Sequence, residues 1–252
     1  MNAAKVVRRN VTVFWRAWRF SFFLSVLSPV MFLSAMGLGL GSMVSETDAF
    51  GGVDYVDFFA TGMLAATCMQ AGVFNATYPI MMKMMWQRNY EAMLASPLEV
   101  RDIFLGELAS IGLMLAQVAV PFAGVMALFG VFDSPMAILA IPVAVLLGLA
   151  CASVIMAFTA TLQTDEAYTW LFRFVVTPLF LLSGTFFPID ELPLWGKVVA
   201  QATPLYHGVE LVRQLAIYEL EASALWHLGY LLVMLGIGTA LGMRNLERRL
   251  VP

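Results

Sequence analysis

The chain has 252 residues, of which 61% are hydrophobic and only 12% are charged, and its formal net charge is −3. This charge density is about half that of an average soluble domain, which excludes an ordinary water-soluble fold and indicates an integral membrane protein. Because the apolar stretches are joined by short linkers, there is no room for a soluble domain, and we expect one membrane domain over residues 1–252.

The first 19 residues form an amphipathic pattern that comes before any span. On a helical wheel, one stripe is basic and the opposite stripe is apolar and aromatic, which is typical of a helix that lies in the membrane interface. We therefore predict an interfacial helix over residues 1–19, and the alternative is a secretory signal peptide. The basic stripe contains Lys5, Arg8, Arg9, Thr12, Arg16 and Arg19, and the apolar stripe contains Val7, Val11, Phe14, Trp15 and Trp18.

Six later stretches are long and apolar enough to cross a bilayer, which requires ~20 residues each. They predict an all-α membrane protein with six transmembrane helices. Most Lys and Arg lie before the first span, between the second and third, near the start of the fifth, or after the sixth, so both termini are expected in the cytoplasm. The predicted spans are residues 20–41, 58–82, 103–129, 136–162, 171–187 and 224–243.

Three of the polar side chains inside these spans are candidates for a specific role. Gln70 and Asn75 lie near the middle of the second span, and Glu107 lies close to the start of the third. Polar groups at such depths must face protein or a water-filled path. The two amides either bond neighbouring helices or line a transport pathway. For Glu107 we expect a structural pairing with headgroups or with a basic partner on another helix, and the alternative is a direct functional role.

Residues 84–97 form an interruption on the cytoplasmic side. The part from 84 to 95 reads as a short helix that ends before Ser96-Pro97. Ser96, Pro97 and Glu99 then predict a capping box with proline at the first helical position, so a new helix is expected to begin at once. Such a corner projects from the membrane, either as a plain surface feature or as a handle for a partner.

The stretch from 176 to 215 starts as the fifth span, breaks at Ser183-Gly184, and continues as two apolar pieces that proline turns introduce. It is too apolar for water and too interrupted to cross a bilayer as one helix. We predict a re-entrant helix hairpin over residues 187–220 that enters the membrane from outside, with aromatic side chains around an external exit and with Glu210 and Arg213 paired to each other. The predicted exit gate contains Ser183, Gly184, Phe186, Phe187, Pro188 and Trp195.

These interruptions also carry a resemblance to a known family. The broken fifth span, SGxxFP at 183–188, LPxW at 192–195, and PL at 204–205 followed by an acidic residue and an arginine resemble the C-terminal signature of type-2 ATP-binding-cassette permeases. Tyr206-His207 after PL is similar to the branch that exports nodulation factors, which are lipo-oligosaccharides. The segments 88–91 and 93–97 resemble the family's NYEGxLASP-like coupling helix.

The resemblance implies a fold like that of type V exporters and an amphipathic cargo, for example a lipo-oligosaccharide, a glycolipid or a drug. It implies two copies of this chain, membrane lipids around them, and two copies of a separate nucleotide-binding ATPase subunit that holds ATP and Mg. Residues 84–97 would be the cytoplasmic coupling helix. The residues implied in ATPase coupling are Arg88, Asn89, Tyr90, Glu91, Met93, Leu94, Ser96 and Pro97.

The sequence contains no Walker A, G-x-S-x-G or H-E-x-x-H motif, so we expect no catalytic site and no cofactor on this chain. His207 and His227 have no ligand-motif spacing, which argues against a metal site. Cys68 and Cys151 fall inside spans and are expected to be free packing residues, with a disulfide as the alternative. No nucleic-acid partner is expected. A stand-alone secondary transporter or channel, or a membrane scaffold, is the alternative to an exporter subunit.

Overall fold

The computed structural model describes residues 3–15, 18–39, 53–132, 135–218 and 220–250, and all regular structure within them is helical. The predicted all-α class is therefore confirmed for this part of the chain. The helices are α1 (Ala3–Phe14), α2 (Trp18–Gly39), α3 (Tyr55–Ala76), α4 (Tyr78–Met81), α5 (Asn89–Leu94), α6 (Val100–Leu128), α7 (Ala140–Thr159), α8 (Glu166–Leu171), α9 (Thr177–Leu182), α10 (Leu194–Gln201), α11 (Pro204–Ala216) and α12 (Ser223–Leu250).

Four helical segments in the described part of the chain are long and apolar enough to cross a membrane. They correspond to the second, third, fourth and sixth predicted spans. Helix α2 contains a shorter apolar stretch, Ser25–Met36, and the fifth predicted span is divided into short pieces. The count of six spans therefore stays a prediction. The four segments are Tyr55–Trp86, Val100–Leu128, Pro135–Thr159 and Ser223–Leu250.

Several predicted boundaries differ from the observed ones. The described amphipathic helix ends at Phe14 and α2 begins at Trp18, so its C-terminal end comes before the predicted residue 19, while its place in the membrane interface stays a prediction. Helix α9 ends at Leu182, five residues before the predicted end of the fifth span, while α12 continues to Leu250. Residues 40–41 of the first predicted span, Arg16, and residue 219 of the predicted hairpin lie outside the described residues.

Helix α1 packs on α6 through a face that combines one apolar and one amide side chain. Val6 and Asn10 are the buried residues of α1. Val6 packs directly on Gly106, because a Cβ added at Gly106 would lie only 2.6 Å from the Cβ of Val6. The Ala3 backbone N–H also donates a hydrogen bond to Asp102 Oδ1, at 3.1 Å. The start of the chain is therefore docked on the protein as well as being amphipathic.

Proline interrupts the second predicted span near its C-terminal end. Pro79 has no N–H to donate to the carbonyl of Asn75, which disfavours a regular helix at this point. Helix α3 ends at Ala76, α4 begins at Tyr78, and a π-helical turn follows over Met82–Trp86. The Thr159 hydroxyl donates to the Ala76 carbonyl at 2.8 Å, so a side chain of α7 stabilises the interrupted segment.

The core lies where α7 packs against α3, α6, α11 and α12. Helices α3 and α7 approach at backbone distance, because Gly72 and Gly148 face each other across the contact. A Cβ on Gly72 would lie only 2.3 Å from the carbonyl oxygen of Gly148. Large apolar side chains fill the space on either side of this contact, including Phe59, Leu64, Met69, Leu147 and Val209.

We expect Gly72→Ala to destabilise the protein, because the added methyl must push two helix backbones apart. The expected loss is about 1–3 kcal/mol in the free energy of unfolding. Gly124→Ala on α6 is the matched control, since nothing lies within 4 Å of its added Cβ and alanine favours a helix over glycine. The measurement is the unfolding midpoint of both purified variants in detergent. Equal midpoints for the two variants would contradict the backbone contact.

Candidate functional site

The corner after the second span is built from the π turn, a left-handed residue and the short helix α5. Arg88 adopts a φ of 47°, which is uncommon for a residue other than glycine. Helix α5 then covers only Asn89–Leu94. The prediction of one helix from 84 to 95 is therefore wrong, because residues 84–86 belong to the end of the span and Arg88 interrupts the chain before α5 begins.

The cap of α6 also differs from the prediction. The capping residue is Glu99, whose carboxylate accepts from the backbone of Asp102, while the Asp102 carboxylate accepts from the backbone of Glu99. Ser96 does not form the predicted capping box. Its hydroxyl donates to the Met93 carbonyl at 2.6 Å, at the end of α5. Two carboxylates three residues apart therefore start α6 at Val100, and Ser96 helps to end the helix before it.

The residues implied in coupling divide into an inner and an outer group. Tyr90 is fully buried, and Met93 and Leu94 pack against the same apolar cluster. The Asn89 amide donates to Gln87 Oε1 at 2.6 Å, which holds the start of α5. The outer group presents a loose ion pair, with 3.9 Å between Arg88 Nε and Glu91 Oε1. We call this exposed group the outer corner face, and it contains Arg88, Glu91, Ser96 and Pro97.

A buried polar cluster lies beneath the corner and connects it to the rest of the protein. Glu107 is 1% exposed, and its Oε2 accepts from Lys83 Nζ at 2.6 Å and from Asn10 Nδ2 at 2.9 Å. The expected pairing of Glu107 with a basic partner on another helix is confirmed. Burial, together with the nearby Glu107 carboxylate, raises the pKa of the Tyr90 phenol well above its usual value, so this hydroxyl stays protonated.

Arg213 joins three separated parts of the chain at the other end of the molecule. It is 2% exposed, and its guanidinium donates to the Gly184 carbonyl at 2.7 Å and to the Phe58 carbonyl at 3.2 Å. The same group lies over the Phe58 ring, 3.5 Å from the centroid. The expected pairing with Glu210 is present at 3.5 Å, but the carbonyl contacts are shorter. Arg213 therefore holds α11 to the start of α3 and to the break after α9.

A groove of about 620 Å³ runs between α3 and residues 172–180 of the fifth predicted span. The exposed amide of Gln70 lines it, as does Asn75, whose Nδ2 donates to the Ala71 carbonyl of its own helix at 2.8 Å. Among the described residues, neither amide bonds another helix. Pro178 interrupts the opposite wall, where a π turn covers Phe172–Val176. The remaining lining residues are Thr67, Ala71, Phe74, Phe172, Val176, Thr177 and Phe180.

Comparison with known proteins decides the family. Residues 4–217 match the ABC-2 type transporter family. The chain belongs to this family. Nodulation protein J of Rhizobium leguminosarum bv. trifolii is 34% identical over 251 residues, which cover 100% of this chain and 95% of the relative. Nodulation protein J of Rhizobium meliloti is 32% identical with the same coverage. A probable multidrug ABC transporter permease of Escherichia coli, YbhR, is 24% identical over 69% of this chain and 48% of its own length.

The predicted exit-gate residues of this ABC-2 permease occupy different environments. Ser183 and Gly184 are buried at the predicted break, which the φ of 78° at Gly184 confirms. Phe186 packs on Phe180, with ring centroids 4.9 Å apart. Trp195 on α10 is 68% exposed, and within the described part of the chain no ring contact joins it to Phe186. A gate role for these residues stays a prediction. Phe187 and Pro188 are half-buried.

Sequence patterns did not predict a buried histidine pair in the permease. His207 of α11 and His227 of α12 approach with their Nδ1 atoms 2.7 Å apart, and Tyr230 stacks on His207 with ring centroids 3.9 Å apart. The two residues are 20 positions apart on different helices, so no local spacing rule predicts their contact. Their geometry serves to join α11 to α12.

Proposed function

We propose that this permease is the membrane subunit of an ATP-driven exporter in a bacterial inner membrane, with both termini in the cytoplasm. Two copies would form the pathway, and two copies of a separate ATPase subunit, which carries ATP and Mg, would dock on the outer corner faces. Family membership supports this assignment, as does the description of the Escherichia coli relative as an ABC transporter permease. The resemblance of Tyr206-His207 to the branch that exports nodulation factors motivates an amphipathic cargo such as a lipo-oligosaccharide or glycolipid, and the chain is similar over its whole length to proteins named Nodulation protein J.

The observation that carries the cargo proposal is the mixed character of the groove beside α3. Phe74 and Phe180 offer apolar surface, while Thr67 and Gln70 offer hydroxyl and amide groups. An amphipathic molecule can use both, because an acyl chain gains free energy by contact with the rings and a polar part can hydrogen bond to the amide. A purely polar solute would gain little from the rings.

The segments α10 and α11 would form the re-entrant hairpin at the external end. The outward side of α10 is apolar, with Leu194, Trp195, Val198 and Val199 exposed. An exposed apolar patch of this kind marks a surface that contacts membrane or protein. Insertion of α10 into the outer leaflet would cover it, and Arg213 would hold the hairpin in place.

A stand-alone secondary transporter is less well supported. Ion coupling requires ionisable residues along the pathway, usually near the middle of the membrane. Glu107 was the carboxylate that could have served this purpose, and it is paired with Lys83 near the corner. The groove itself is lined by neutral side chains.

The test compares cargo-stimulated ATP hydrolysis by the permease and its ATPase in lipid nanodiscs. The probes are a synthetic acylated oligosaccharide and the same oligosaccharide without its acyl chain. We expect only the acylated probe to stimulate hydrolysis. Phe74→Ala should raise the probe concentration for half-maximal stimulation roughly tenfold, because a lost aromatic contact costs about 1.4 kcal/mol.

Phe158→Ala is the matched control, since Phe158 is also exposed on a span but does not line the groove. We expect this variant to respond like the unaltered permease. Equal responses of the two phenylalanine variants would contradict the groove as the cargo site. Stimulation by the oligosaccharide without its acyl chain would contradict an amphipathic cargo.

A further inference from the structure

A second cavity, of about 280 Å³, lies between α1, the end of the second span and α6. It is separate from the cargo groove, although Asn75 lines both. Its walls combine apolar surface with two cations, one carboxylate, four amides and one hydroxyl. The polar residues that matter here are Arg9, Asn10, Lys83, Glu107 and Ser110.

One oxygen of the Glu107 carboxylate is unused. Lys83 and Asn10 both donate to Oε2, whereas Oε1 has no hydrogen-bond partner among the described residues. The Tyr90 hydroxyl interacts electrostatically with the same carboxylate, but neither that hydroxyl nor Oε1 meets hydrogen-bond geometry with any described residue. A buried carboxylate oxygen without a donor costs free energy, so Glu107 offers a strong site for an N–H or O–H group that enters the cavity.

The same cavity offers donors for an anion. The Lys83 ammonium has three N–H groups, and its one hydrogen bond among the described residues is to Glu107. Arg9 lines the cavity and forms no ion pair with any residue that the structure describes. A cationic donor and an anion carried by one small molecule would therefore match Glu107 on one side and Lys83 with Arg9 on the other.

We propose that this cavity binds the phosphoethanolamine headgroup of a phospholipid. Its ammonium would donate to Glu107 Oε1, and its phosphate would accept from Lys83 and Arg9. The apolar side chains of Val13, Phe14 and Met114 line the same cavity and would contact the start of the acyl chains. A choline headgroup has neither an N–H nor an O–H donor for Glu107, so it satisfies only the anion side of the cavity. A glycerol headgroup has O–H donors but no cation, so its hydrogen bond to the carboxylate lacks the charge that an ammonium supplies.

The test measures binding of short-chain phospholipids to the purified full-length permease in detergent. The probes are dihexanoyl phosphatidylethanolamine, phosphatidylcholine and phosphatidylglycerol. We expect phosphatidylethanolamine to bind about tenfold more tightly than phosphatidylcholine, because only its ammonium can form the hydrogen bond to the Glu107 carboxylate. Glu107→Gln should remove this preference. Arg9→Gln should weaken binding of all three probes about tenfold.

Arg8→Gln is the matched control, because Arg8 is exposed on the same helix but does not line the cavity. We expect it to leave all three affinities unchanged. Equal affinities for phosphatidylethanolamine and phosphatidylcholine would overturn the proposal. A preference for phosphatidylglycerol, with equal losses of affinity in the Arg8 and Arg9 variants, would also overturn it, because that result indicates a general basic surface. Binding of free phosphoethanolamine as tightly as the lipid would overturn the phospholipid as its source. If Glu107→Gln fails to fold, the comparison of the three lipid probes and the two arginine variants still tests the proposal.

Discussion

A permease that carries Glu91→Arg is expected to stay folded but to lose its ATPase partner. Glu91 lies on the outer corner face, where its contact with Arg88 is long and exposed, so the charge contributes little to the fold. At an interface, reversal of a charge replaces an attractive contact with a repulsive one. We expect a loss of about 2 kcal/mol or more in docking, which is roughly thirtyfold in affinity.

The measurement is binding of the purified ATPase subunit to the permease in nanodiscs, together with transport in vesicles. Glu166→Arg is the matched control, because Glu166 is also an exposed carboxylate expected on the cytoplasmic side but lies outside the corner. Normal docking and transport of Glu91→Arg would contradict the assignment of the corner to the ATPase.

The structure changes what is expected of Tyr90. A residue with a fully buried side chain cannot be a main contact of a docked partner, so Tyr90 acts by holding α5 in place. We expect Tyr90→Phe to dock the ATPase normally, because the ring that fills the space beneath the corner is kept. Tyr90→Ala should lower both stability and docking, since it leaves a cavity beneath the corner.

Arg213→Met is expected to cause the largest loss of stability. Methionine keeps an apolar stem but removes the guanidinium donor from the Gly184 carbonyl and from the Phe58 carbonyl, which keeps only its contact with the Thr61 hydroxyl among the side chains described. Loss of one partner from a buried charged network costs about 3–5 kcal/mol. Arg213→Lys should recover only part of this, because an ammonium cannot reproduce the planar fork of a guanidinium.

The unfolding midpoint of the purified permease in detergent measures this effect. Lys197→Met is the matched control, because Lys197 also pairs with a carboxylate, Asp190 at 3.0 Å, but on the surface. An exposed pair contributes up to about 1 kcal/mol, so this variant should unfold near the normal midpoint. Similar midpoints for the two methionine variants would show that Arg213 does not hold the hairpin.

Local chemistry explains which features the sequence predicts. The break at Ser183-Gly184 was predictable, because glycine adopts positive φ readily and no continuous helix passes such a residue easily. The corner was also predictable as an interruption. Its cap was not, because Ser96 and Glu99 are both acceptable capping residues, and only the Asp102 carboxylate on the next turn favours Glu99.

Features that depend on distant contacts were beyond local rules. Glu107 was expected to find a basic partner, but nothing in its own helix identifies Lys83 or Asn10. Phe186 and Trp195 were expected to act together because both are aromatic. The packing of Phe186 on Phe180 and Phe59 is decided by how three segments meet in space. The contact between His207 and His227 has the same origin.

The contact between Gly72 and Gly148 also bears on how force could pass through the molecule. Two helices that touch at backbone distance have no compressible side chains between them, so they resist being pressed together. Helix α5 is joined to α3 only through α4, the π turn and Arg88, so a push on the corner reaches the helix pair through an interrupted segment. A push that reaches α3 would move α3 and α7 together as one rigid pair. The motion that opens a pathway would then have to occur at other, softer joints.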